Sequence, residues 1–225
     1  MSKIVSSAQE AVADIFDGAT IMIGGLGGCG TPLNLTAAII ERGITHLTVI
    51  CNNLGDCLDL AQEKRIKKAI LSFPQIPGQP DSPLVDGYNS GDVEIETVSL
   101  GILSERIRAY GAGLAGFYTR VGAGTILAEG KESRVFDGEE FILERALGAD
   151  FALIKAYQAD RMGNLVYRKA ARNINPIMAM GSKVTIAEAE EIVDAGELDP
   201  QVVVTPGLFV DRLVRAEKRV RWFRL

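Results

Sequence analysis

The chain has 225 residues, with 24 Lys and Arg against 29 Asp and Glu, and a formal net charge of −5. That acidic balance argues against broad nucleic-acid binding, while 47% hydrophobic and 24% charged residues are ordinary values for a water-soluble globular chain. No apolar run reaches the length of a bilayer span, the polar start Met1-Ser2-Lys3 lacks a secretory profile, and three cysteines fit reduced thiols better than a disulfide frame, so a cytoplasmic setting away from membranes is expected.

Ala8 to Phe16 carries apolar residues at Ala8, Val12, Ile15 and Phe16, a helical stripe leading into the first strand. Asp17-Gly18 turns the chain into Ala19–Ile23, a short apolar run with two β-branched isoleucines. Five glycines then stand between positions 24 and 30, where the backbone can take positive φ and bring its N–H groups against a ligand. Thr31 is placed to cap and Pro32 to open a helix from Leu33 to Arg42. Strand, glycine turn and helix N-terminus together make an anion site; the alternative is a tight turn that holds no ligand. A nucleotide fingerprint is not cleanly present, because the second strand runs into Cys51-Asn52-Asn53 rather than an acidic residue, and no Gly-Lys-Ser/Thr follows the glycines.

Leu47 to Cys51 reads as a strand, Leu58 to Lys64 as a short helix and Lys67 to Phe73 as a strand. Four prolines, Pro74, Pro77, Pro80 and Pro83, make 74–86 a loop or extended arm. Val93 to Val98 alternates like a strand, with Glu94 and Glu96 on one face, and Ser99 or Ser104 can cap a helix to about Tyr110. From about Val121 to Leu147 the pattern changes to short strands joined at Gly122-Ala123-Gly124, Glu129-Gly130-Lys131 and Asp137-Gly138-Glu139, a small β-rich lobe. Phe151 to Ala156 resumes the core as an apolar strand. Thr185 to Val193 is ambiguous, since Ala-Glu-Ala-Glu-Glu favours helix while Val184, Ile186, Ile192 and Val193 suit a strand. The basic tail from Arg215 to Arg224 is expected to pack Trp222 and Phe223 on a partner. This alternation predicts an α/β fold, an open, mostly parallel, doubly wound sheet in a single domain over 1–225 with the small lobe at about 121–147.

Serine-histidine-acid catalysis is nearly excluded, because His46 is the only histidine and no Gly-x-Ser-x-Gly occurs. A metal site fails for the same shortage of ligands. Cys29 lies in the glycine loop, where a thiolate can be stabilised, although a small residue filling space beside glycine is the simpler account.

The run Asp17 to Pro32 resembles the first signature of the family I coenzyme A transferases, and ordered blocks along nearly the whole chain are similar to the alpha (A) subunits of 3-oxoacid CoA-transferases. These blocks include Leu47 to Asn53, Leu103 to Arg108, Gly111 to Gly113, Phe117 to Thr119, Leu127 to Glu132, Ala149 to Leu153, Ala159 to Asn173 and Thr205 to Gly207. The resemblance implies transfer of CoA between an acyl-CoA and a free carboxylic acid through a glutamyl-CoA thioester. It places the nucleophilic glutamate in a Ser-Glu-Asn-Gly type motif of a beta (B) subunit, and no such motif occurs here. No catalytic residue is therefore expected in this chain, which should be inactive without its beta (B) partner in a heterodimer or heterotetramer. The CoA thioester is expected as a substrate, with no permanently bound cofactor.

Carried onto this sequence, the resemblance marks Gly24, Gly25, Leu26, Gly27, Asn52, Asn53, Leu100 and Gly101 as the substrate- and CoA-binding set. Each asparagine can donate to a carboxylate or thioester oxygen, or simply end its strand in an Asx turn. Leu26 replaces the family's phenylalanine, and Leu100 stands where the 3-oxoacid pattern has a glutamine that helps bind the reacting oxygen. Leucine cannot donate a hydrogen bond, so either another group supplies it or the acyl substrate differs, in which case an acyl group bulkier or more apolar than acetoacetate is expected. Arg161, Arg168, Lys169 and Arg172 fit a CoA phosphate or a solvated face. Alternatives are a CoA-thioester hydrolase of the same fold, which would place an acid at Leu100, and a non-catalytic acyl-CoA-binding subunit.

Overall fold

The computed structural model describes residues 2–76 and 82–217. In chain order its elements are α1 (Ala8–Ala11), β1 (Thr20–Ile23), α2 (Leu33–Glu41), β2 (Leu47–Asn53), α3 (Leu54–Gln62), β3 (Ile66–Phe73), α4 (Pro83–Ser90), β4 (Glu94–Thr97), α5 (Leu100–Gly111), β5 (Gly116–Thr119), β6 (Ser133–Phe136), β7 (Glu139–Arg145), β8 (Ala149–Asp160), β9 (Leu165–Val166), α6 (Asn175–Met180), β10 (Ser182–Val193) and β11 (Arg212–Arg215). The main sheet has the order β11-β10-β8-β1-β2-β3-β4, all parallel, with β9 pairing antiparallel to β8. A second, antiparallel sheet has the order β5-β7-β6.

Successive side chains of a strand point to opposite faces, so a parallel sheet covered on both sides needs near-continuous apolar strands. Ile21 and Ile23 of β1 join Val49, Leu71 and Leu153 in a core closed by α1, α2 and α3, whereas Met22 joins Ile50, Ile70 and Ala152 under α5 and α6. Helices therefore cover both faces, and the doubly wound expectation holds.

Several boundaries differ for identifiable reasons. α1 keeps only the first turn of the 8–16 stripe, capped where the Ser7 hydroxyl accepts from the Glu10 N–H. α3 begins at Leu54, directly after β2, because Asn53 serves as its N-cap. The proline-rich stretch contains the start of α4: Pro83 fills the first turn, where no N–H is needed, and the Ser82 hydroxyl accepts from the Val85 N–H. Residues 77–81, with Pro77 and Pro80, and the tail from residue 218, with Trp222 and Phe223, lie outside the described residues. The ambiguous segment is strand: β10 is clamped between β8 and β11 over ten and four paired positions, and that pairing overrides the helix propensity of its Ala-Glu repeat. Among the described residues, no helix is long and apolar enough to cross a membrane.

In the small sheet, Tyr118, Phe136 and Phe141 stack edge to face, with ring centroids 5.5 and 5.3 Å apart. Its β7 carries Glu144, a buried carboxylate paired with Lys131 and facing Arg106 of α5 at 4.0 Å. That carboxylate links the small sheet to a helix of the main one.

Candidate functional site

β1 leads through α2 to β2 on one side, whereas β8 leads through 161–181 to β10 on the other. Adjacent parallel strands whose connections leave in opposite directions open a crevice outside their carboxyl ends. The glycine loop 24–31 occupies that point.

The Gly24 N–H extends the β1–β8 ladder by donating to the Leu153 carbonyl at 2.9 Å. Leu26 and Cys29 then exchange two backbone hydrogen bonds of 2.9 and 3.1 Å around Gly27 and Gly28, whose φ values are 59° and 85°. Two consecutive left-handed positions at a two-residue turn explain that glycine pair. Gly24 and Gly25 lie buried below the turn, while Leu26 and Gly27 form its exposed tip. At Gly24 a Cβ would fall 1.6 Å from Asn175 Oδ1, and at Gly30 one would fall 2.7 Å from the Ala171 Cβ. Glycine is required at these two positions by the close approach of the chain's own 169–175 segment, and Asn173 Nδ2 fastens that segment by donating to the Gly25 carbonyl at 2.6 Å.

The helix following the loop does not present an open anion site. Pro32, rather than Thr31, is the N-cap of α2 and supplies no side-chain bond. The first free amides of α2, Asn34 and Leu35, donate to Glu188 Oε2 of β10 at 2.9 and 3.3 Å, so an internal carboxylate already sits on the helix dipole. Burial pushes the Glu188 carboxyl above its ordinary pKa, and the attraction of Lys155, 3.5 Å away, opposes that rise. The Thr31 hydroxyl turns instead to Asp56 of α3, at 3.3 Å. The same buried carboxylate accepts the Gly28 N–H at 3.2 Å, the Asn53 N–H at 3.3 Å and Asn53 Nδ2 at 3.0 Å. Sequence reasoning missed both carboxylates. The Asn53-x-x-Asp56 spacing is a capping-box signal that marks Asp56, whereas nothing local marks Glu188.

Of the residues marked by resemblance, 24–27 and 52–53 come together, since Ile23 and Cys51 are paired neighbours just before them. Strand alternation sends Asn52 to the α5–α6 face; it is buried, and its Oδ1 has no hydrogen-bond partner among the described residues. Asn53 is the N-cap of α3. Leu100 opens α5 and packs with Val98 on the α5–α6 core, with Gly101 exposed beside it. Leu100 and Gly101 follow β4, which lies three strands from β1 in the sheet order. Arg168 stacks 3.5 Å over the Tyr157 ring and Arg161 pairs with Asp194, while Lys169 and Arg172 sit in the 3₁₀ turn beside Gly30. Cys29 is exposed, and His46, also exposed, precedes β2 at the opposite edge of the sheet.

Residues 5–216, spanning the main sheet and the whole glycine loop, match the family model described as coenzyme A transferase. The chain belongs to the coenzyme A transferase family. It is 49% identical over 219 residues to the A subunit of the 3-oxoadipate CoA-transferase of Acinetobacter baylyi, covering 95% of each chain. To the A subunit of the succinyl-CoA:3-ketoacid coenzyme A transferase of Helicobacter pylori it is 44% identical over 222 residues, covering 97% of this chain and 94% of the relative. The fold is shared with glutaconate coenzyme A-transferase of Acidaminococcus fermentans, at a TM-score of 0.86 and 23% identity over 96% of this chain and 76% of the other. It is shared too with an acyl-CoA transferase of Escherichia coli O157:H7, at a TM-score of 0.82 and 22% identity over 96% of this chain. Of that longer chain this family member spans 47%, about half.

Proposed function

We propose that this chain is the alpha (A) subunit of a cytoplasmic 3-oxoacid CoA-transferase, a single domain that supplies one wall of the acyl-CoA site while a beta (B) subunit supplies the nucleophilic glutamate. The observation that carries this reading is near full-length identity of 44–49% to relatives that are each named as the A subunit of such an enzyme. The geometry supports it. The carboxylates bonded to the glycine loop and to the helix after it, Asp56 and Glu188, are buried and engaged by amide donors, which leaves neither in a state to attack a thioester.

In the proposed reaction the partner's glutamate attacks the thioester carbonyl, forming a mixed anhydride and releasing the CoA thiolate. That thiolate attacks the glutamyl carbonyl, expelling the first acid as its carboxylate and leaving glutamyl-CoA. An acceptor carboxylate then runs the two steps in reverse. Each tetrahedral oxyanion needs fixed donors, because a carboxylate is a weak nucleophile. From this chain, the exposed Leu26-Gly27 tip and the Asn52 side chain are the groups proposed to face substrate, with Gly24 and Gly25 as their buried support.

The decisive experiment is to trap the two-chain enzyme with acyl-CoA using borohydride or hydroxylamine and to map the modified residue. A mark on a glutamate of the second chain is the expected result, and turnover by this chain alone would overturn the proposal. Thioester hydrolysis is not favoured, since the relatives matched over nearly the full length are named as CoA-transferase subunits.

A further inference from the structure

One buried carboxylate ties together the two loops that form the proposed site. Asp56 is wholly shielded from solvent, and among the described residues its two oxygens accept hydrogen bonds from two different segments. From the glycine loop come the Gly28 N–H and the Thr31 hydroxyl; from the end of β2 come the backbone and side-chain N–H groups of Asn53. The fit leaves no slack. A Cβ at Gly25 would fall 2.4 Å from Asp56 Oδ1 and 2.7 Å from the Thr31 hydroxyl, and Gly25 itself has a φ of 136° that side chains rarely adopt. The neighbouring Gly55 brings α3 against the backbone of Gly27 and Gly28, where a Cβ would contact both at 3.5 Å.

We propose that Asp56 is a positioning residue: its carboxylate sets the height and angle of the Leu26-Gly27 tip relative to Asn52 and Asn53, and so the geometry in which this chain meets the acyl-CoA. The inference rests on the transferase reading of that site. Charge-assisted bonds to backbone N–H groups are roughly twice as strong as neutral ones, which makes a carboxylate far better suited than an amide to hold two backbone amides at once. An amide at this position would turn one of the two acceptor oxygens into a donor facing donors, with Gly28, Thr31 and Asn53 all presenting hydrogens.

The test uses the assembled two-chain enzyme carrying Asp56→Asn, with Thr31→Val as a milder variant should the first fail to fold. A misplacement of order 1 Å at a reacting centre costs about a hundredfold in rate. Asp56→Asn is therefore expected to lower kcat by about a hundredfold while the KM for acyl-CoA stays close to that of the parent, with Asp56→Glu recovering part of the loss; Thr31→Val, which removes a single one of these bonds, should lower kcat less and also leave KM in place. A folded variant with parental kcat would overturn the inference, as would kcat and KM that change only in step with lost thermal stability. Amide exchange gives a reading independent of turnover: Asp56→Asn should accelerate exchange over 24–31 without touching β10 and β11. If the parent complex transfers no CoA, the transferase reading falls while the exchange result still decides whether Asp56 holds the loop, and unchanged exchange overturns that role.

Discussion

The carboxylate of Glu188 in β10 accepts the backbone N–H of Asn34 at 2.9 Å, across 154 residues of sequence. Strand and helix end are fastened by one buried charge, with Lys155 at 3.5 Å as its counter-ion. Removing one member of a buried pair leaves the other uncompensated, at a cost of about 3 kcal/mol or more. Glu188→Ala should destabilise the fold by that amount in urea unfolding, and Glu188→Gln, which keeps an acceptor for the α2 amides, by clearly less.

The same residue gives a pH dependence of a definite sign. Burial raises the Glu188 carboxyl above its ordinary pKa, so the folded chain holds its proton more tightly than the unfolded one. Its contribution is then greatest below the unfolded value and is lost as pH rises through the raised one. The stability difference between the parent and Glu188→Gln should therefore shift against the parent as pH climbs from about 4 upward. Asp150 acts in the opposite sense. The Thr20 N–H, and then the Lys183 ammonium, hold its carboxyl below the usual range, so its contribution is present at neutral pH and fades on acidification. Asp150→Asn should flatten the acid limb of the stability profile.

A methyl group at Gly24 would meet Asn175 Oδ1 at 1.6 Å, and Asn175 is itself wholly buried. Overpacking of this kind costs about 1–3 kcal/mol. Gly24→Ala should lower the urea midpoint by a corresponding amount, and combining it with Asn175→Ala should recover part of the loss. A double-mutant cycle measures that coupling directly.

How much of this was legible from residues alone differs between fold and site. β1 and α2 could be read almost to their ends, because a buried apolar run and a Pro-initiated helix carry their own local signals. β10 was ambiguous, since its Ala-Glu repeat favours helix while Val184, Ile186, Ile192 and Val193 suit a strand, and the pairing with β8 and β11 decides between them. The glycines were legible as a special turn, but their reason was not: at Gly24 and Gly30 the close neighbour is the chain's own 169–175 segment, more than 140 residues away. Such a contact has no period or spacing to betray it.

Leu26 separates function from folding. It is 37% exposed at the tip of the loop, so Leu26→Ala should leave the unfolding free energy within about 0.5 kcal/mol of the parent. In its proposed place as a wall of the acyl pocket, Leu26→Ala should lower kcat/KM for acyl-CoA by roughly tenfold or more in the assembled enzyme. Steady-state kinetics beside a thermal melt compares the two effects.

Leu100 behaves differently, because its side chain packs on the core beneath α5. Leu100→Gln would bury an amide there without an assured partner, at a cost of about 1–3 kcal/mol. Acceptor competition with acetoacetate and longer, more apolar 3-oxoacids tests its role in specificity: the parent should prefer the apolar acids, and the variant should narrow that preference.

The bend after β1 is held on one flank by Asp56 and on the other by Asn173, both from within the same polypeptide. A loop tied on both flanks by its own chain is ordered as that chain folds, so the entropy of ordering it is not charged to a later binding step. The free chain should therefore show this loop in the same shape before and after the second subunit or substrate is added.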